Sequence, residues 1–252
     1  MKISGFQKLT LLDFPEKVAC IIFTQGCNFK CSYCQNSILI SHECYEPIPE
    51  EEIFEYLSKR KKVLDGVVIS GGEPTVQKDL YEFILKIKKM GFAIKLDTNG
   101  SNPIILKKLL DENLLDYVAM DIKNVFSEYK KVAKTIVNID NIKESIKLLQ
   151  NSNIPHEFRT TIIKNIHSIK EILEICSYFN QKEKIYIQNF EQSENVIDKK
   201  LVSFSHEELI ELEKKIKERF PNVIFRNLWK EEKNVQSKKK RWKGSSIWNW
   251  KN

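Results

Sequence analysis

The sequence predicts an α/β protein, a partial (β/α)6 barrel with parallel strands, followed by a short basic C-terminal tail. Three observations carry that expectation. Short apolar runs alternate six times with segments whose apolar residues recur at helical spacing, and strands joined by helices of this length make parallel β-α-β crossovers. Polar clusters fall where each of these strands ends, which is the rim on which such barrels build their sites. The chain has 252 residues, enough for one substantial core without a second.

The first strand is the run Val18 to Phe23, and a polar loop bearing three cysteines leaves its end. Pro49 followed by Glu50, Glu51 and Glu52 then opens a helix to about Lys62, with proline in the first turn and acids at the positive helix end. Gly66 to Ser70 is the second strand. Its helix carries Leu80, Phe83, Ile84, Ile87 and Met90 on one face, and Gly91 supplies a left-handed stop. The third unit is Phe92 to Asp97 with a helix from Pro103, and the fourth is Tyr117 to Ile122 with a helix through Ile142, Ile146 and Leu149. Glu157 to Ile163 and Ile185 to Phe190 are the fifth and sixth strands. Their helices open with the capping boxes Ser168-x-x-Glu171 and Ser205-x-x-Glu208.

Composition excludes several classes of function. No stretch reaches the apolar length of a membrane span, and Met1 to Lys8 lacks the hydrophobic core of a signal peptide, so a cytoplasmic protein without membrane association is expected. Six cysteines in a reducing compartment suit metal ligation or buried thiols better than disulfides. Cys20 and Cys176 fall on strand and helix patterns and are expected in the core, whereas Cys44 lies in a loop. The net charge is +7, but residues 228–252 hold eight Lys or Arg against Glu231 and Glu232, a balance of +6 that leaves +1 for residues 1–227. A nearly neutral body is not expected to bind nucleic acid. The chain therefore divides into a barrel domain, 1–227, and a basic tail, 228–252, which holds all four tryptophans beyond position 228. That tail either covers an open edge of the barrel or docks on a partner or a nucleic acid by stacking and charge.

Cys27, Cys31 and Cys34 are spaced CxxxCxxC, close enough for three thiolates to converge on one inorganic centre. A 4Fe-4S cluster held by three thiolates keeps one iron free to chelate a substrate or cofactor, while an electron carrier would normally have a fourth cysteine. One alternative is a structural zinc that recruits His42 or Cys44 as fourth ligand, but no second CxxC arm is present. Another is a set of buried structural cysteines, against which stand the polar neighbours Asn28, Lys30, Ser32 and Gln35. CxxxCxxC with an aromatic, Tyr33, just before the last cysteine resembles the signature of radical S-adenosylmethionine (radical SAM) enzymes.

The other strand ends carry matching chemistry. Gly71 and Gly72 permit a close backbone approach, and Glu73 with Pro74 fixes a turn whose carbonyls can accept from an ammonium group. Asp97, in Asp97-Thr98-Asn99-Gly100, is either a cofactor or cation contact or an Asx turn. Asp121 and Lys123 share one face of the fourth strand as an ion pair or a cofactor clamp, and Arg159 is a fixed cation suited to a carboxylate.

Gly71 to Pro74 resembles the radical SAM motif that holds the amino group of SAM. Together with Asp97 to Gly100, Asp121 to Lys123 and Arg159, the pattern resembles glycyl-radical-enzyme activases of the pyruvate formate-lyase-activating type. Thr10-Leu11-Leu12-Asp13-Phe14-Pro15 and the cysteine context are similar to the branch that activates anaerobic ribonucleoside-triphosphate reductase. The resemblance implies a 4Fe-4S cluster on Cys27, Cys31 and Cys34. It implies SAM contacts from Tyr33, Gly71, Gly72, Glu73, Pro74, Asp97, Asn99, Asp121, Lys123 and Arg159, and a monovalent cation beside them. It further implies flavodoxin or ferredoxin as electron donor, and a glycyl-radical enzyme, anaerobic ribonucleotide reductase, as partner. Gln188 and Asn189 end the sixth strand at the rim, where they can bond the main chain of a peptide substrate. Glu16 replaces a glycine of the family's opening motif, and Gln188-Asn189-Phe190-Glu191 stands where pyruvate formate-lyase activases carry a histidine, leaving cation and partner open. Two rivals remain: a radical SAM enzyme acting on a small metabolite such as a deazapurine or pterin precursor, and a non-catalytic metal or nucleic-acid-binding module.

Overall fold

A computed structural model describes residues 1–40 and 46–226. The basic tail, His42 and Cys44 lie outside the described residues, and so does any zinc arrangement that would use them. Eight strands form one sheet in chain order: β1 (Ile3–Thr10), β2 (Ala19–Thr24), β3 (Gly66–Gly71), β4 (Ala93–Thr98), β5 (Tyr117–Asp121), β6 (His156–Ile162), β7 (Ile185–Asn189) and β8 (Val223–Arg226). All neighbouring pairs from β2 to β8 are parallel, and β1 is antiparallel to β2. The helices are α1 (Glu50–Lys59), α2 (Leu80–Lys89), α3 (Pro103–Asp111), α4 (Tyr129–Ala133), α5 (Ile139–Gln150), α6 (Ile169–Cys176) and α7 (His206–Lys217). A parallel sheet wound in chain order, always with the same crossover hand, curls into a barrel. Because β1 and β8 do not pair among the described residues, the barrel stays open.

The six expected units are β2 to β7 with their helices. Both capping boxes form, with each serine accepting from the N3 amide and each glutamate reaching back to the cap. Cys20 and Cys176 are buried in the core as expected. Three elements lie outside the six-unit expectation: the antiparallel edge strand β1, the parallel strand β8 at the opposite edge, and the short α4. Glu16, at the family's glycine position, has φ 62°, a left-handed conformation that glycine adopts freely and other residues adopt at a cost. No helix among the described residues is long and apolar enough to cross a membrane.

Side chains alternate across each strand, and the two faces of the sheet differ sharply. The outer face packs Ile22, Val67, Ile69, Leu96, Val118, Met120 and Phe158 against Leu57, Ile84, Leu109, Leu149 and Ile175 of the helices. The inner face is apolar only where β2 and β3 look into the lumen, with Ala19, Ile21 and Val68 joined by Phe14 and Tyr117. From β4 to β6 the inner positions include the charged residues Lys95, Asp97, Asp121, Glu157 and Arg159, of which Asp97, Asp121 and Arg159 line the site. Residues 190–204, after β7, run back across the barrel end. There Asp198 N donates to Ser32 O at 3.0 Å, Gln35 Nε2 to Glu191 O at 3.3 Å, and Ser37 Oγ to Asn195 O.

Candidate active site

The cysteine loop is held on several sides. Lys30 N donates to Ala133 O at 2.9 Å and Ser32 N to Val132 O at 3.3 Å, so the free carbonyls of α4 brace it from below. Phe29 is buried edge-on against Tyr129 of α4, at 6.4 Å between centroids. Asn99 Nδ2 donates to Asn28 Oδ1 (2.9 Å), and Asn28 Nδ2 to Ser101 Oγ (2.8 Å), which ties the loop to the end of β4. Cys27, Cys31 and Cys34 carry no disulfide. Burial pushes the Cys27 thiol up to about 12 and raises Cys31 and Cys34 as well, so metal binding here must displace three protons. Among the described residues no three His, Cys, Asp or Glu side chains are grouped to hold a single metal ion. A cubane makes a different demand, because each thiolate binds its own iron.

The three cysteines line a cavity of about 450 Å³ together with Tyr33, Gly71, Gly72, Glu73, Asp97, Asn99, Asp121, Lys123 and Arg159. Of the residues expected at the site only Pro74 does not line it. It is buried as the first residue of a 3-10 turn, Pro74–Val76. Glu73 contributes through loop shape, because its carboxylate is fully buried and accepts from Thr75 N (3.1 Å), Thr75 Oγ1 (2.6 Å), Thr98 Oγ1 (2.7 Å) and Asn99 N (2.6 Å). Burial raises this carboxyl, although those bonds oppose the shift. The Asn99 side chain is likewise spent on Asn28 and on the Ser101 amide. Asn189, expected to bond a partner's main chain, lines the cavity while its side chain closes the base of the 190–204 segment. It donates to Phe204 O at 2.9 Å and accepts from Phe204 N at 3.1 Å. Gln188 lines the cavity while donating to Thr161 Oγ1 at 2.8 Å.

The glycine pair has a packing reason of its own. Gly71 has φ 110°, and a Cβ on Gly72 would lie 2.1 Å from the carbonyl oxygen of Gly26, the residue before the first cysteine. Gly72 N and Glu73 N donate to Thr24 O and Gly26 O, each at 2.9 Å, so β3 delivers its loop directly onto the cysteine loop. Gly72→Ala is expected to lower the unfolding midpoint by several degrees and to lose most cluster iron after reconstitution, since overpacking against fixed backbone costs about 1–3 kcal/mol or more. Full iron content with an unchanged midpoint would show that the loop can yield.

On the opposite wall, five charges form a row. Asp97 accepts from Ser70 Oγ at 3.0 Å and from the Lys95 ammonium, with Arg159 Nη1 at 3.6 Å. Asp121 accepts from Arg159 Nε at 2.8 Å and from Lys123 Nζ at 3.1 Å. The Lys123 ammonium also stands 5.6 Å from the centroid of Tyr33. Burial alone would raise both carboxyls, but Arg159 and Lys95 hold Asp97 below its ordinary value, and Arg159 and Lys123 bring Asp121 to about 2. Lys95 and Ser70 were not among the expected site residues. A lysine in the apolar run Phe92 to Leu96, two positions before Asp97, was the available signal for Lys95.

Comparison with known proteins adds the decisive fact: residues 21–176 match the family described as the radical SAM superfamily. The chain belongs to the radical SAM superfamily. Radical SAM enzymes use a 4Fe-4S cluster and SAM, and this chain is one of them. Among its relatives is a Methanocaldococcus jannaschii protein named "putative glycyl-radical enzyme activating enzyme", 35% identical over 90% of this chain and 96% of that one. The pyruvate formate-lyase-activating enzyme of Clostridium pasteurianum is 26% identical over 73% of this chain and 86% of its own length. The structure of Streptococcus suis SuiB bound to S-adenosylmethionine superposes with a TM-score of 0.65 at 16% identity, a likeness of fold. The match covers 80% of this radical SAM chain and 48% of SuiB, so the chain spans about half the length of that protein.

Proposed function

We propose that this radical SAM enzyme is an activase that generates a glycyl radical on a partner enzyme, and that the partner is an anaerobic ribonucleoside-triphosphate reductase. The observation that carries the reading is the shared cavity, onto which three thiols from one loop and the partly buried charges Asp97, Asp121, Lys123 and Arg159 both open. Cys27, Cys31 and Cys34 would hold the cluster. The Ser32 hydroxyl, buried beside Cys31 with no hydrogen-bond partner, fits a neighbour that supplies an acceptor such as sulfide. The backbone from Gly71 to Glu73 offers carbonyls to the SAM ammonium. In the charged row, Lys95, Lys123 and Arg159 face Asp97 and Asp121, and the one positive charge in excess suits the SAM carboxylate. When bound, the reduced cluster would supply the one-electron chemistry for reductive cleavage of SAM, and through it the removal of a hydrogen atom from a glycine α-carbon. The protein's part is to orient the cofactor, exclude water and admit a peptide loop past Gln35 and Asn36, which are exposed and line the cavity at its mouth.

Several features support this partner and setting. The relative named for glycyl-radical enzyme activation matches almost end to end, and Thr10 to Pro15 with the cysteine context resembles the ribonucleotide-reductase branch. A flavodoxin or ferredoxin in the cytoplasm would supply the electron. The test is anaerobic incubation of the reduced enzyme with SAM and the anaerobic ribonucleotide reductase of the same cell, its glycines deuterated at the α-carbon. A persistent glycyl radical by electron paramagnetic resonance, with deuterium in 5′-deoxyadenosine, is the expected result. Robust SAM cleavage with a small metabolite and no radical on any glycyl enzyme would overturn the activase reading. Absence of iron and sulfide after reconstitution would overturn the cluster assignment to these cysteines.

A further inference from the structure

Lys95 holds a position that the charge balance of the site makes informative. It lies in β4 two residues before Asp97, so both side chains point into the lumen. Its side chain is 3% exposed, its ammonium bonds Asp97 Oδ1, and it stands 6.0 Å from the Tyr117 ring centroid. Every carboxylate oxygen of the row is already matched: Asp97 by Lys95 on one side and by Ser70 and Arg159 on the other, Asp121 by Arg159 and Lys123. The neighbouring Glu157 does not alter the count, because Arg226 binds both its oxygens at 3.0 and 3.1 Å and Tyr117 donates to it at 3.0 Å.

A free monovalent cation beside Asp97 and Asp121, as the family resemblance implies, would have to share carboxylate oxygens that each already face a cation of the protein. It would also join a partly buried group in which three cations face two carboxylates, where repulsion is screened less than at the open surface. We propose that the Lys95 ammonium is a tethered replacement for that cation. It keeps Asp97 ionised and oriented beside the cofactor, so that SAM binding by this chain is independent of potassium and sodium. Lys95 is a positioning residue, acting on the cofactor through Asp97. The inference rests on the SAM-site reading above.

The test is anaerobic titration of the cluster-loaded full chain with SAM in KCl, NaCl and choline chloride at equal ionic strength. The wild type is expected to bind equally in all three. Lys95→Met is expected to bind roughly tenfold more weakly in choline chloride, since one side of a buried pair is lost, and to recover in KCl or NaCl as a free cation fills the gap. A wild type that loses affinity in choline chloride, or a Lys95→Met variant whose affinity ignores the salt, would overturn the proposal. Thermal unfolding of the same wild-type protein decides it without SAM. Equal midpoints in the three salts are expected, and a rise of roughly 2–4 °C in KCl would reveal a bound cation and overturn it. Failure to bind SAM in any salt would count against the SAM-site reading, and the melting comparison would still decide the role of Lys95.

Discussion

Alanine at Cys27, Cys31 or Cys34 is expected to reduce bound iron roughly tenfold or more after anaerobic reconstitution and to abolish SAM cleavage. Alanine at Cys20 or Cys176 should leave both near the wild-type level. The contrast follows from placement. The first three thiols open onto one cavity, whereas Cys20 and Cys176 are fully buried on the far side of the sheet among core side chains. A cubane that loses one of three thiolates has a second exposed iron and no protein ligand within the loop to replace it, because the side chains between the cysteines are Asn, Phe, Lys, Ser and Tyr. Iron and sulfide content, followed by quantitation of 5′-deoxyadenosine, checks both halves. Full iron in Cys31→Ala would refute the assignment.

Arg159→Met should have an effect of similar size by another route. The guanidinium lies between Asp97 and Asp121, so its loss leaves two carboxylates facing one another with only their lysines. Removing one side of a buried pair typically costs about 3–5 kcal/mol, and the lower end applies because Asp121 is one-third exposed. SAM affinity should fall at least roughly tenfold, as the charge that favours its carboxylate is gone. The pH dependence has a defined sign. In the wild type Asp121 is depressed to about 2, so its contribution is complete above the ordinary carboxylate value and is lost only as the pH falls toward about 2. Without Arg159 the two carboxylates take up a proton more readily, which relieves the repulsion on mild acidification. The gap in unfolding midpoint between variant and wild type should therefore narrow as the pH falls from 7 toward about 4.5. A gap that stays constant over that range would show that Arg159 acts by packing alone.

The parts of the fold legible in the sequence were those with strong periodicity or a chemical terminus. β2 to β7 are short, mostly apolar runs bounded by turn residues, and both capping boxes announced their helices. β1 and β8 gave weaker signals. β1 contains Gly5 and pairs with β2 through two register shifts, and β8 has four residues of which only Val223 and Phe225 are buried. α4 is a single turn whose value lies in the carbonyls of Val132 and Ala133, which no side-chain pattern reports. At the site, motif residues reached the cavity almost as expected, but a motif does not say which atoms are free. Glu73, Asn99 and Asn189 spend their polar atoms on backbone and neighbouring loops, which only three-dimensional geometry reveals. Lys95 carries no motif signal, because buried lysines are uncommon and its partner stands two residues away on the same strand.

The bridge between the cysteine loop and the segment after β7 bears on how the protein is made. Gln35 and Ser37 meet residues 156 and 158 positions later in the chain, and the amide of Asp198 caps the carbonyl of Ser32, between the second and third cysteines. A nascent chain emerging from the ribosome exposes its three thiols long before the wall that covers them has been synthesised. Synthesis at about 5–20 residues per second puts roughly 8–30 seconds between the two events. During that interval the thiols are accessible to oxidants and to stray metal ions. Iron-sulfur delivery to this chain is thus best timed after translation, and overexpression without matched cluster supply should accumulate a folded barrel with a mismetallated or oxidised loop.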